Sequence, residues 1–328
     1  MQGFKRKISF FGILLILCII LSEFLVHAAN EDIGLLKGKN LNFMQIQKEP
    51  KNTIDVLFVG DSLAYSGFSP MQMWKDYGIA SMVGAQSGQK MQDTYLTIKK
   101  AIETQKIKLV VLESNVLYRK QGNMEGIKSF VMQKADKYFP LIQYHDMWKT
   151  VLFGKRYDKQ NYKGYLLRST GYPYTRGMYM FASEGKKPIA RINRMWLQKI
   201  RKLCKENQVQ FLLVSMPSPK NYTMEKHNAL ESYAQKHKMT YLDLNLATDR
   251  LQIDWQTDTR DGGDHLNVWG ATKVSQFLGG YLDKNYGLQD HRGEELYASW
   301  DDLYKKYDQK IKQELQYRKE GAYAMIKE

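Results

Sequence analysis

The stretch that decides the fold is TIDVLFVGDSLAYS, residues 53–66. Residues 54–59 are a mostly apolar run with several β-branched side chains, which predicts a buried strand. The run stops at Gly60, Asp61 and Ser62. A serine on a glycine turn between a strand and a helix stands where open α/β sheets place their ligands. Ser62 is therefore the candidate nucleophile.

The alternation of strands and helices continues along the chain. Further strands are predicted at residues 81–89 (ending in a glycine loop), 107–112, 209–215 and 240–244. Helices are predicted at residues 70–77, 90–105, 188–207, 224–238 and 271–281. Such alternation favours a parallel sheet with helices on both faces. The predicted fold class is α/β, a three-layer α/β/α sandwich.

Three later blocks carry polar residues at or near predicted strand ends. Gly88 follows Ser87 in the loop after the second strand, and Asn115 follows the third strand in the sequence Glu-Ser-Asn. The last block is DGGDHLNVWG, residues 261–270, which contains His265 and leads into a helix.

With the Gly60-Asp61-Ser62 turn, these blocks resemble the SGNH (GDSL) hydrolases, which use serine, glycine, asparagine and histidine blocks in that chain order. The resemblance implies a flavodoxin-like sheet, Ser62 as nucleophile and His265 as its base. It also implies an oxyanion hole made by the backbone N–H groups of Ser62 and Gly88 and the side-chain amide of Asn115. Two positions depart from the family pattern: Glu113 replaces its glycine and Val116 its aspartate.

The carboxylate partner of His265 has two candidates. The family places an aspartate three residues before the histidine, but that position here is Gly262. Asp261 is one residue too far and Asp264 is adjacent. A one-residue insertion in the Gly-Gly loop would let Asp261 reach the imidazole, so Asp261 is preferred and Asp264 is the alternative.

The N-terminus predicts export. Lys5, Arg6 and Lys7 precede an apolar run at residues 8–21, which is typical of a signal peptide or an N-terminal membrane anchor over residues 1–29. Residues 26–28 are only a partial cleavage site, which favours an uncleaved anchor. The predicted location is the extracytoplasmic face of the cell membrane, or the exterior if the segment is cleaved. Cys204 is then the only exported cysteine, so an internal disulfide is excluded.

The rest of the chain divides by composition. A connector covers residues 30–52, the α/β domain residues 53–290, and a charged C-terminal helix residues 291–328. Within the domain, residues 118–187 are an irregular insertion rich in aromatic and basic side chains, expected beside the active-site end of the sheet. Aromatic faces suit sugar rings, and lysine and arginine suit phosphates or carboxylates. Each aromatic taken singly is more often a core residue.

The net charge of +15 indicates which kinds of binding partner are available to the protein. Outside the membrane, the available polyanions are lipid headgroups and anionic wall polymers, so nucleic acid is not predicted. A generic basic surface is an equally good interpretation. The histidines do not have the sequence spacing that is typical of metal ligands. Neither a metal nor a cofactor is therefore predicted.

The predicted function is ester chemistry through a Ser-His-Asp acyl-enzyme, with an acylated cell-surface glycopolymer as partner. The layout is similar to anchored SGNH-like proteins of exopolysaccharide O-acetylation or teichoic acid D-alanylation, which implies either an esterase or an O-acyltransferase. A transferase would also need a membrane-bound acyl-donor protein. One alternative is a binding or assembly protein that keeps the fold without turnover; lipase activity is a third.

Overall fold

The computed structural model describes residues 2–36, 38–120, 147–154 and 161–326. The chain divides into two compact units, residues 1–45 with 120–159 and residues 46–119 with 160–328. The helices are α1 (Gln2–Glu31), α2 (Gly38–Lys48), α3 (Ser62–Gly67), α4 (Pro70–Tyr77), α5 (Met91–Thr104), α6 (Met147–Phe153), α7 (Arg191–Glu206), α8 (Met224–Lys236), α9 (Val268–Tyr286) and α10 (Ala298–Ile326). The strands are β1 (Val56–Gly60), β2 (Ser81–Ala85), β3 (Leu109–Glu113), β4 (Asn161–Tyr162), β5 (Tyr165–Leu166), β6 (Gln210–Ser215) and β7 (Thr240–Asp243).

Five of these strands form one parallel sheet in the order β2-β1-β3-β6-β7. Every residue of β1, β2 and β3 is buried, as expected for strands covered on both faces. Helices α5 and α7 pack together on one face, and α3, α4 and α9 pack together on the other. The predicted three-layer α/β/α fold is confirmed. Because the strands are parallel, the loops after β1, β2 and β3 meet at one edge of the sheet.

Within the larger unit, a second apolar cluster packs the C-terminal helix against the rest of the domain. Trp300 and Tyr307 of α10 are buried with Trp74 of α4 and with Tyr165 of the β4–β5 hairpin. The hairpin turn, Lys163 and Gly164, lies beside β2, since the N–H of Val83 donates to the carbonyl of Lys163 at 2.8 Å. The charged C-terminal segment is therefore packed along the face of the domain.

Part of the predicted insertion contacts the loop that carries His265. The N–H of Tyr172 donates to the carbonyl of Thr259 at 3.1 Å, and the N–H of Gly262 donates to the carbonyl of Tyr172 at 2.9 Å. The N–H of Tyr174 donates to the carbonyl of Trp255 at 2.9 Å. The segment 121–146 of the insertion and residues 155–160 lie outside the described residues.

The smaller unit contains α1, a 3-10 turn at Ile33–Leu35, the first part of α2, and α6. Its buried apolar cluster includes Leu36, Leu41, Met44 and Met147. The predicted polar connector is thus largely helical, because Leu41 and Met44 lie three residues apart on one helix face and become buried together. Residues Arg6–Glu31 of α1 are long and apolar enough to cross a membrane, a test that signal sequences also pass.

Candidate active site

Ser62 begins α3 directly after β1, and the turn is fixed by its neighbours. The carboxylate of Asp61 accepts a hydrogen bond from the N–H of Leu63 at 3.0 Å and so caps the helix. Gly60 allows the close approach of β3, because a Cβ at this position would lie 2.8 Å from the Cβ of Glu113. The side chain of Ser62 is held at the sheet edge with 5% of its surface exposed.

The loop between β7 and α9 carries His265. Gly262 and Gly263 both have positive φ angles, 69° and 86°, which side-chain-bearing residues rarely adopt. A Cβ at either glycine would also meet a tyrosine of the insertion, Tyr172 or Tyr174, at 3.2 Å and 2.9 Å respectively. This tight double-glycine turn folds the chain back so that Asp261 lies beside His265.

Ser62, His265 and Asp261 form a continuous hydrogen-bonded chain. The Oγ of Ser62 lies 2.8 Å from Nε2 of His265, and Nδ1 of His265 lies 2.6 Å from Oδ2 of Asp261. Burial opposes ionisation of Asp261, but its hydrogen bonds from the imidazole and the backbone of His265 outweigh burial and lower its pKa. An ionised carboxylate behind the imidazole fixes its tautomer and stabilises its charged form.

Asp264, the alternative carboxylate, lies farther away and has another partner. Its Oδ1 is 3.6 Å from Nδ1 of His265 but accepts a hydrogen bond from the side-chain amide of Asn221 at 2.7 Å. Of the two candidates, only Asp261 lies within hydrogen-bond distance of the imidazole.

Asn115 is 4% exposed and is oriented by two charged groups. Its amide Nδ2 donates to Oδ2 of Asp61 at 2.9 Å, and its Oδ1 accepts from Nζ of Lys226 at 3.4 Å. One amide hydrogen is therefore engaged with Asp61, and a second remains for a substrate oxygen.

Gly88, the other predicted oxyanion donor, lies in an exposed turn between β2 and α5. Its φ is 65°, and the space around its Cα is open, with no atom within 4 Å of a Cβ built there. In the part of the chain that the structure describes, no hydrogen bond joins Gly88 to Ser62 or Asn115.

Sequence reasoning did not assign a role to Arg119. Its Nε donates to Oδ2 of Asp61 at 2.6 Å, so the fully buried carboxylate of Asp61 has a cationic partner. Arg119 follows Asn115 by four residues, a spacing that can bring both side chains to the same carboxylate. In the sequence, this four-residue spacing after the third predicted strand was the feature that could have indicated a role for Arg119.

Glu113 takes the place of the family's glycine and lies fully buried beneath Gly60. Burial, and then the negative charge of Asp61, raise its pKa to about 8. Its carboxyl group accepts from the hydroxyl of Tyr222 at 2.6 Å and from the N–H of Asn115 at 3.0 Å. The raised pKa favours the protonated form of Glu113, and its carboxyl group positions the backbone of Asn115.

Lys226 of α8 is the second cation behind the site. It is 9% exposed, its ammonium lies 4.5 Å from the ring centroid of Tyr118, and it donates to the carbonyl of Asn221. Burial, and then the positive charge of Lys187, lower the pKa of Lys226 to about 8. No local sequence pattern marks Lys226, because its place beside Asn115 depends on how α8 packs against the sheet.

Within the described ranges, one group of acidic and histidine side chains is compact enough for a metal ion. It comprises Asp261, Asp264 and His265, whose donor atoms lie within 4.8 Å of one another. Two of these residues, Asp261 and His265, already form the hydrogen bonds of the Ser62 chain, so a metal there would compete with that arrangement.

No family model matches this chain, and no curated protein matches it. Solved structures do. A protein from Bacteroides fragilis NCTC 9343 that is named an acylhydrolase aligns over 73% of this chain and 92% of its own, with 13% identity and a TM-score of 0.39. GDSL-like lipases are among the other solved structures to which this chain is similar.

One of them, from Bacteroides thetaiotaomicron VPI-5482, aligns over 71% of this chain and 89% of its own, with 13% identity and a TM-score of 0.36. Another, from Parabacteroides merdae ATCC 43184, covers 74% and 99%, with 12% identity and a TM-score of 0.37. At this level of similarity, the chemistry of the present chain rests on its own site geometry.

Proposed function

We propose that this protein is a serine-dependent acyl hydrolase or O-acyltransferase that acts on acyl esters of a cell-surface glycopolymer. The observation that carries the proposal is the chain of hydrogen bonds from Ser62 through His265 to Asp261, with distances of 2.8 Å and 2.6 Å. A nucleophile, a base and an orienting carboxylate in that relation are the working parts of acyl transfer.

In the proposed reaction, Ser62 Oγ attacks the ester carbonyl while Nε2 of His265 takes its proton. The negative oxygen of the tetrahedral intermediate accepts hydrogen bonds from the N–H groups of Ser62 and Gly88 and from the free amide hydrogen of Asn115. Each such donor typically lowers the barrier by about 3 to 4 kcal/mol. His265 then protonates the leaving alcohol, which departs and leaves an acyl group on Ser62.

The second half of the reaction decides between hydrolysis and transfer. His265 accepts a proton from water or from a sugar hydroxyl as that oxygen attacks the acyl carbonyl. His265 then gives the proton to Oγ of Ser62 as the bond between the acyl group and Ser62 breaks. The same residues serve both outcomes. Transfer further requires a membrane-bound donor that supplies the acyl group.

The proposed location is the extracytoplasmic face of the membrane, with α1 as anchor or signal sequence. Two features support this location. Arg6–Glu31 is long and apolar enough to cross a membrane, and basic residues precede its apolar run. A glycopolymer on the same side of the membrane would be within reach of an anchored enzyme. Secretion after cleavage of the segment is the alternative location.

The test compares the full chain in detergent with its Ser62→Ala variant. Both are assayed for hydrolysis of p-nitrophenyl acetate and for labelling by a fluorophosphonate probe. We expect both signals in the wild type and neither in Ser62→Ala, while Ser299→Ala, which changes an exposed serine at the start of α10, retains both.

Two further outcomes separate the alternatives. Labelling without hydrolysis, followed by ester formation when an alcohol acceptor is added, supports the transferase. Absence of both signals in folded wild-type protein contradicts the proposal and favours a binding or assembly role on the same fold.

A further inference from the structure

A basic groove runs between helices α7 and α8. Its volume is about 670 Å³, and its lining includes the cationic side chains of Lys186, Arg191, Arg194 and Lys236. Apolar surface from Met195 and Tyr233 lies between the charges. Among the described residues, no aspartate or glutamate lines the groove. The groove lining therefore combines cationic side chains with apolar surface.

The four cationic side chains of the groove have no ion-pair partner among the described residues. None of Lys186, Arg191, Arg194 and Lys236 forms an ion pair with another residue of the described chain. Exposed lysines elsewhere on the same domain do, such as Lys202 with Glu206 and Lys100 with Glu103. Four like charges that line one concavity repel one another, and an anion bound among them would relieve that repulsion.

A series of residue contacts links the groove to the segment that carries the catalytic serine. The hydroxyl of Tyr118 donates to the carbonyl of Lys187 at 3.1 Å, which fixes the chain next to Lys186. The ammonium of Lys226 lies over the ring of Tyr118 and donates a hydrogen bond to Oδ1 of Asn115. Arg119 then reaches Asp61, the residue that precedes Ser62. These contacts connect the end of the groove at Lys186 to Asp61, the residue that precedes Ser62.

We infer that the α7–α8 groove binds a segment of an anionic polymer and delivers its esterified units to Ser62. This rests on the proposed function and deepens it, because it names the substrate as a polymer with regularly placed phosphate or carboxylate groups. Arginine and lysine side chains bind both kinds of anion. A single extended chain fits a concave groove between two helices, whereas a flat bilayer surface does not enter it.

The experiment uses the full chain in phosphatidylcholine nanodiscs and two fluorescent polymers with the same backbone, dextran sulfate and neutral dextran. Binding is followed by fluorescence anisotropy over a series of salt concentrations. The groove variant is Arg191→Gln/Arg194→Gln/Lys236→Gln. The matched control, Lys106→Gln/Lys202→Gln/Lys205→Gln, removes three exposed positive charges from the same domain outside the groove.

We expect the wild type and the control variant to bind dextran sulfate with similar affinity and neutral dextran not at all. The groove variant loses at least tenfold in affinity. Its plot of log affinity against log salt becomes shallower by about 2, since each cation that meets a flexible polyanion contributes about 0.7 to the slope.

Three results overturn the inference. Equal loss in both variants means that binding follows total charge rather than the groove. Equal binding of the two polymers means that anionic groups are not recognised. Loss of polymer binding when phosphatidylglycerol is added to the discs means that lipid headgroups occupy the groove.

The same samples test the groove assignment and the proposed serine chemistry separately. Neither triple variant touches the Ser62 chain, so both retain fluorophosphonate labelling and hydrolysis of p-nitrophenyl acetate. Labelling of Ser62 without groove-dependent binding removes only the groove assignment. Groove-dependent binding without labelling removes only the proposed chemistry.

Discussion

Asp261 holds His265 at two points. Its Oδ1 accepts the backbone N–H of His265 at 2.7 Å, while its Oδ2 lies 2.6 Å from Nδ1 of the ring. One carboxylate therefore sets both the position of the residue and the direction of its imidazole, and Nε2 faces Ser62 as a result.

We expect Asp261→Asn to lower kcat for ester hydrolysis by about a thousandfold to ten-thousandfold, because an amide at this position can favour the wrong tautomer of His265. Asp264→Asn is the matched control, since Asp264 lies 3.6 Å from Nδ1 and is held by Asn221. Its loss should stay within about tenfold, a barrier change of about 1.4 kcal/mol. The opposite ranking in steady-state kinetics would assign the carboxylate role to Asp264.

The ion pair between Arg119 and Asp61 should matter more than a surface pair of the same type. Asp61 is completely buried, so Arg119→Met leaves its charge without a cationic partner. We expect a loss of about 2 kcal/mol in the free energy of unfolding, measured by denaturant titration. Arg292→Met breaks an exposed pair with Asp290 and should cost less than about 1 kcal/mol. Equal losses would mean that burial of Asp61 does not govern the effect.

Glu113 should make the stability of the wild type depend on pH. Its pKa is about 8 in the folded protein and 4.5 as its ordinary value. Between these pH values the folded state holds a proton that the unfolded chain has released. The contribution of this proton to stability is complete below the ordinary pKa and is lost as pH rises through about 8.

Glu113→Gln keeps the size of the side chain and removes the titration. We expect the stability of the wild type relative to Glu113→Gln to fall steadily as the pH is raised from about 5 to about 9. Thermal unfolding of both proteins across this range measures the difference. A difference that stays constant with pH contradicts the buried neutral state of Glu113.

The C-terminal helix should contribute strongly to stability through Trp300. This side chain is completely buried against Trp74, with ring centroids 5.4 Å apart, and the ammonium of Lys163 lies 4.2 Å from its ring centroid. Trp300→Ala should lower the free energy of unfolding by about 3 to 5 kcal/mol. Leu315→Ala, on the same helix but 40% exposed, should cost less than about 1 kcal/mol. A similar effect for both changes would contradict tight docking of α10.

The strands of the sheet could be predicted because each is a short run with apolar side chains, and most of them end at a glycine or a polar residue. The predicted strand at residues 209–215 is β6 at Gln210–Ser215, and the predicted helix at residues 90–105 is α5 at Met91–Thr104. The helix in the connector was missed, because its polar residues outnumber the few apolar ones that become buried.

The candidate site was less predictable where it depends on contacts between distant segments. Ser62 and His265 stand out because their blocks have a recognisable local pattern. Arg119 and Lys226 have no such pattern, and their positions beside Asp61 and Asn115 follow from the packing of β3 and α8. The choice of Asp261 over Asp264 likewise depends on the backbone angles of Gly262 and Gly263, which no residue count determines.

Ser62 and His265 are 203 positions apart in the chain, and this separation also sets a time order for synthesis. The nucleophile leaves the ribosome early, while its base follows only after β7 has been made. A chain interrupted anywhere before residue 265 carries Ser62 without its proton acceptor. In the proposed reaction, acyl transfer therefore cannot begin before His265 has been made.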